Sequence, residues 1–245
     1  MPAGWATLLV LAVIFLATLI RSAFGFGEAL VAVPLLALVI PVEVAAPLAV
    51  LVSITVAGVV LLQDWRHVRV GSAWRLVLAT LPGIPLGLLL LTAAGEHVVK
   101  ATLAVVIIAF SAYCLARRTP LELRDDRPAW LFGFAAGVLG GAYGMNGPPL
   151  VIYGTLRRWS PGQFRATLQG YFLPASVVGM AGYWLAGLWV PAVTRYYLLS
   201  LPVAGASVVL GRVVHRRLAG GAFLRYVHVA LIVIGVTLLV QSAVR

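Results

Sequence analysis

Apolar residues run along this chain in long blocks, and polar positions are confined to the short links between them. A helix that crosses a bilayer needs ~20 mostly apolar residues. Eight blocks approach that length: about 5–23, 43–62, 74–93, 98–116, 129–142, 166–187, 194–211 and 222–242. Two more are short. "EALVAVPLLALVI" (28–40) and "PPLVIYGTLRR" (148–158) each follow a glycine-rich break, and at ~1.5 Å per residue neither covers a full hydrocarbon core. The pattern predicts an all-α integral membrane protein with eight long transmembrane helices and two short broken or re-entrant half-helices. The first block lacks the basic segment that opens a signal peptide, so a retained helix is expected.

Laid on itself at an offset near 119, the chain repeats. Gly25 meets Gly144, the short helix from Glu28 meets the one from Gly147, and Trp65 meets Trp184. With small slips, Leu81 and Pro82 meet Leu201 and Pro202, and Lys100 meets Arg225. The order of these matches predicts two copies of five segments, about 1–118 and 126–245, within one membrane domain spanning 1–245.

Charge sets the direction of each copy. Of the 18 Lys and Arg, all but Arg21, Lys100, Arg195 and Arg245 fall in four places: Arg66, Arg69 and Arg75; Arg117, Arg118, Arg124 and Arg127; Arg157, Arg158 and Arg165; and Arg212, Arg216, Arg217 and Arg225. The positive-inside bias makes these four places cytoplasmic and both termini external. The copies are then inverted, as an odd number of segments requires. Arg21 is left at the inner end of the first helix. The net charge of +11 follows this topological pattern, so nucleic acid is not expected as a partner. A chain that is 62% hydrophobic and 10% charged leaves no room for a soluble catalytic module. The lone Cys114 excludes an internal disulfide.

Inverted repeats with one broken helix apiece point to a transporter site near the bilayer midplane. Glycine and proline leave backbone groups that lipid cannot satisfy, so such segments are buried in protein or line a wet cavity. In "FGFGEAL" (24–30) and "YGMNGPPL" (143–150) a helix starts directly after the break. Helix N-termini carry free N–H donors and about half a positive charge, which suits an anion. The candidate substrate contacts are Gly25, Phe26, Gly27 and Glu28 from the first break, with Tyr143, Gly144, Asn146, Gly147 and Pro148 from the second. Asn146 can donate to an anion or cap the helix behind it. Tyr153 offers a hydroxyl, although packed tyrosines are common. Glu28 can carry a coupling proton or complement the helix dipole.

Gln169 lies one turn beyond Arg165; it can line the pathway or bond between helices, and Arg165 can attract an anion from the cytoplasmic side. Ser53 and Thr55 are expected to bond to their own backbone. Gly133, Gly137, Gly140 and Gly141 read as helix-packing positions. His67, His97, His215 and His228 lack metal-site spacing or partners, so neither metal nor cofactor is expected.

At the two breaks the sequence resembles the TauE/SafE family of sulfite exporters, also called the toluene sulfonate uptake permease family. The resemblance rests on "FGFGEALVAVPLL" (24–36), "GGAYGMNGPPLVIY" (140–153) and the following "FRATLQGYF" (164–172). It implies a bacterial inner-membrane carrier for sulfite, sulfoacetate or other organosulfonates. The glycine run usual in the family is interrupted here by Phe26 and Glu28. The leading expectation is therefore a secondary transporter, an exporter of small sulfur-containing anions by alternating access, with proton coupling and homo-oligomerisation open. An uncoupled anion channel is its nearest rival. An intramembrane enzyme is disfavoured, because the chain has no HExxH or GxSxG motif, and no phosphate-binding loop suggests ATP hydrolysis.

Overall fold

The computed structural model describes residues 3–64, 69–116, 122–123, 125–217 and 221–244. Trp65, Arg66, His67, Arg117, Arg118, Arg124 and Arg245 lie outside the described residues, as do the side chains of Arg165, Arg212, His215, Arg216, Arg217 and Arg225. Every element among the described residues is helical: α1 (Ala3–Phe24), α2 (Glu28–Leu36), α3 (Val42–Asp64), α4 (Val70–Thr80), α5 (Gly83–Ala93), α6 (Glu96–Ala116), α7 (Ala129–Tyr143), α8 (Gly147–Leu156), α9 (Pro161–Leu185), α10 (Pro191–Arg217) and α11 (Gly221–Val244). The two short blocks fold as the two shortest helices, α2 and α8, of nine and ten residues. At ~1.5 Å per residue each is about half a bilayer core long.

One block differs from its expected form. The run 74–93 is not a single helix but α4 and α5, bent by 42° at the break. Pro82 has no N–H to donate, and the backbone N–H of Leu81 falls back on Leu78 at 3.3 Å. Among the described residues, four stretches are long and apolar enough to cross a membrane: Gly4–Ala23, Val42–Val59, Glu96–Ala116 and Pro191–Gly211. The bent α4–α5 pair makes a fifth if it counts as one span. Large apolar side chains such as Leu62 and Leu185 are 82% and 80% exposed, as expected of surfaces that meet lipid rather than water.

Packing follows a regular scheme. α1 lies along α10, α7 lies along α4 and α5, α3 meets α9, and α6 meets α11. α1 and α10 run side by side in the same direction: Ser207 Oγ donates to the Phe15 carbonyl at 3.1 Å, and Gly211 sits against Leu19 and Ser22. α7 runs the same way along α4–α5, with Thr80 Oγ1 3.0 Å from the Gly133 carbonyl and Gly141 against Ile84 and Leu88. Gly133, Gly137 and Gly141 line this seam, as the packing reading of those glycines expects. Facing them, Gly83 and Gly87 press backbone on backbone, and a Cβ at Gly87 would overlap the carbonyl oxygen of Val138. We expect Gly87→Val to cost about 1–3 kcal/mol through overpacking. Thermal unfolding in detergent checks this, with Gly58→Ala, where an added Cβ meets nothing within 4 Å, as the unaffected control.

Candidate substrate site

Each break is closed by a glycine in the left-handed region. Gly25 (φ 85°) ends α1, and its N–H donates to the Arg21 carbonyl at 2.6 Å. Gly144 (φ 64°) ends α7; its N–H reaches the Gly140 carbonyl at 2.8 Å, and that of Met145 reaches Leu139 at 3.2 Å. This is the glycine-terminated helix end in which two orphan carbonyls find donors. The chain then restarts at once, α2 after Gly27 (φ 97°) and α8 after Asn146, with Pro148 and Pro149 in its first turn. Proline is tolerated there because a first-turn N–H has no helical partner.

The first turns of both half-helices line one cavity of ≈ 20 Å³, room for about one water. Phe26, Gly27 and Glu28 border it from the first break, and Gly144, Asn146 and Gly147 from the second. The remaining walls include Arg21, Ser53 and Phe172. The six from the breaks are among the residues singled out in the sequence, whereas Gly25, Tyr143, Pro148 and Gln169 do not border the cavity.

Arg21 lies in the last turn of α1, the helix end at which the sequence placed it, but it was not assigned to the site, where it is buried to 3% exposure. Its Nη1 donates to Glu28 Oε2 and to Ser53 Oγ at 2.7 Å. Its Nη2 donates to Gln169 Oε1 at 2.7 Å, and the Phe172 ring centroid lies 5.2 Å from Cζ, within cation–π range. The Nε–H has no acceptor among the described residues. Glu28, 2% exposed, also accepts Thr18 Oγ1 at 2.9 Å. A buried guanidinium is tolerable only when paired and hydrogen-bonded, and here α2, α3 and α9 supply its partners. The signal available in the sequence was an arginine and a glutamate flanking one break, each too costly alone in a membrane segment.

Other expectations sort by geometry. Gln169 bonds between helices: its Nε2 donates to the Gly25 carbonyl at 2.8 Å while its oxygen takes Arg21. It thus ties the first break to α9 without lining the cavity. Ser53 departs from the expected backbone bond by accepting Arg21, whereas Thr55 does bond to the Leu51 carbonyl at 3.2 Å. Asn146 makes no side-chain cap; its Nδ2 donates to Tyr171 Oη at 3.3 Å, and its amide packs where a Gly140 side chain would stand. Gly140 is thus a neighbour of the site as well as a packing position. Tyr143 turns away, its hydroxyl donating to the Val99 carbonyl at 3.0 Å. Pro148 is buried without reaching the cavity. The side chain of Arg165 lies outside the described residues.

A second polar cluster was not anticipated. Asp126 accepts Tyr153 Oη at 2.7 Å, Arg157 Nη2 at 3.1 Å and Arg75 Nη1 at 3.2 Å. Arg157 also donates to the Leu123 carbonyl at 2.8 Å. These bonds pin the C-terminal end of α8 to α4 and to the segment before α7. Tyr153 belongs to this cluster and not to the cavity.

Chemically, the site offers one guanidinium paired with a carboxylate, the first turns of two helices, a serine hydroxyl and a carboxamide; its donors suit an oxyanion, which would compete with Glu28 for them. Among the described residues no group of three or more His, Cys, Asp or Glu is placed to hold a metal. No curated protein and no solved structure matches the chain. The sequence profile of the family described as sulfite exporter TauE/SafE matches residues 10–238. That span takes in both breaks, the charged pair and the partner helices, and on it the chain belongs to the TauE/SafE sulfite exporter family, as a multi-pass membrane protein.

Proposed function

We propose that this chain is a secondary transporter that exports small sulfur-containing anions, sulfite or organosulfonates, across the bacterial inner membrane by alternating access. The observation that carries the reading is the buried Arg21 between two facing half-helix N-termini. Family membership supports the substrate class.

The two inverted copies of five segments are the moving parts in this reading, with the eight long blocks crossing the bilayer and both termini external. Packing supports that division. Exchanging the copies turns the α1–α10 contact into α7 against α4–α5, and returns α3–α9 and α6–α11 to themselves. The glycine closures match as well, since Gly25 to Arg21 and Gly144 to Gly140 are the same bond at an offset of 119. Glu28 is the coupling residue, placed beside the anion's counter-charge.

The test is reconstitution in liposomes with labelled sulfite, sulfate, thiosulfate and sulfoacetate, with and without a pH gradient. Saturable flux of at least one of these anions is expected. No flux of any of them sinks the reading.

A further inference from the structure

We infer that Arg21 is the charged ligand of the transported anion and that Glu28 is a tethered competitor for it, so that each anion bound requires one proton taken up. The inference rests on the transporter reading above.

Three observations combine. First, the guanidinium already holds a carboxylate, that of Glu28, in a geometry that an oxyanion can reproduce. Second, the cavity of ≈ 20 Å³ holds about one water, so an anion of three or four oxygens reaches Arg21 only after the carboxylate withdraws. Third, the guanidinium is not saturated: Nε–H lacks an acceptor although the side chain is 97% buried. An oxyanion that displaces the carboxylate takes Nη1, and the Nε–H remains a further donor that neither Glu28 nor Gln169 uses among the described residues.

Once displaced, Glu28 is a buried carboxylate without its cation. Among the described residues no replacement cation is at hand. On α1 its neighbours are Arg21 and Thr18. The cavity walls from α3 and α8 carry no second charge, and the nearest polar groups there are Ser53 and Asn146. On α11, which also touches α2, the buried His228 stacks edge-on against Phe110 of α6 and does not line the cavity. An uncompensated buried charge costs several kcal/mol, so the carboxylate takes a proton from the solution it faces. The balance is simple. In the empty state Arg21⁺ pairs with the Glu28 carboxylate; in the loaded state Arg21⁺ pairs with the anion and Glu28 is the neutral acid. For a singly charged anion the site keeps the same net charge, and proton and anion travel in the same direction, so export is driven by the anion's own outward gradient.

The experiment compares wild type, Glu28→Gln and the double variant Arg21→Gln/Glu28→Gln in liposomes. It follows labelled sulfite together with internal pH, reported by a trapped dye. Sulfite itself titrates in this range, so the comparison is made between variants at each pH. Wild type is expected to co-import one proton per singly charged anion and to take up sulfite faster from an acid exterior. Glu28→Gln should carry sulfite without that proton. Its half-saturating concentration should be lower than that of wild type, and the gap should widen as pH rises, by up to about tenfold per pH unit for one competing proton. The double variant leaves no unpaired charge, so it is expected to fold, and it should bind sulfite 10- to 100-fold more weakly than Glu28→Gln, the worth of a charge-assisted contact. Wild-type affinity in the double variant overturns the assignment of Arg21, and proton-accompanied flux in Glu28→Gln overturns that of Glu28, while the transporter reading stands in both cases. Absence of all sulfur-anion flux in wild type removes both together.

Discussion

Arg21→Gln is expected to destabilise the folded protein by about 3–5 kcal/mol, the cost of leaving one partner of a buried ion pair uncompensated. Glu28 is 2% exposed, and apart from Arg21 its hydrogen-bond partner is the neutral hydroxyl of Thr18. Chemical or thermal unfolding in detergent should show the loss at neutral pH. Adding Glu28→Gln should recover most of the loss, since replacing both members of a buried pair is often close to neutral. An Arg21→Gln protein that unfolds alongside wild type would mean that the carboxylate has another source of compensation.

Gly144→Val is expected to cost about 2–5 kcal/mol and to abolish transport. A β-branched residue at φ 64° is strained. The added Cβ would also stand 2.7 Å from Val50 Cγ2 and 3.0 Å from the Ala46 carbonyl oxygen, an overpacking of the α3–α7 contact. Because the Gly144 turn sets where α8 begins, the strain is released by moving that half-helix away from the cavity. Gly147→Ala is the stability control, since a Cβ there meets nothing within 4 Å and the backbone is not left-handed. Equal melting temperatures for Gly144→Val and wild type would show that the turn can be rebuilt without glycine.

How much of this could be read from the chain depended on the scale of each signal. Helices from blocks of ~20 apolar residues and breaks made of glycine and proline are strong local patterns, so α1, α2, α3, α6 and α8 were legible almost to their ends. The α4–α5 bend was not, because Leu81 and Gly83 keep the run apolar around Pro82 and the period of hydrophobicity does not change. Within the site, Gly27, Glu28, Gly144, Asn146 and Gly147 were found because they belong to the breaks. Arg21 and Ser53 were missed for a different reason. Each sits inside or at the edge of an apolar block, where rules for topology and for backbone bonding give a sufficient account of a lone polar residue. Their purpose emerges only when α1, α3 and α9 meet, and no local window of sequence contains that meeting. Asp126 escaped notice likewise, since its partners Arg75, Tyr153 and Arg157 come from two other helices and their ends.

The charge pair has no counterpart in the second half of the chain. At an offset of 119, Arg21 falls on Gly140 and Glu28 on Gly147, both without side chains. In the two-copy reading proposed above, the one ion pair among the described residues of the cavity belongs to the first copy. The two halves of an alternating-access cycle are then unequal in energy, because only one copy carries the ion pair through the low-dielectric interior. On that reading neither half can stand in for the other: duplicating the first would bring two ion pairs face to face, and duplicating the second would remove the pair.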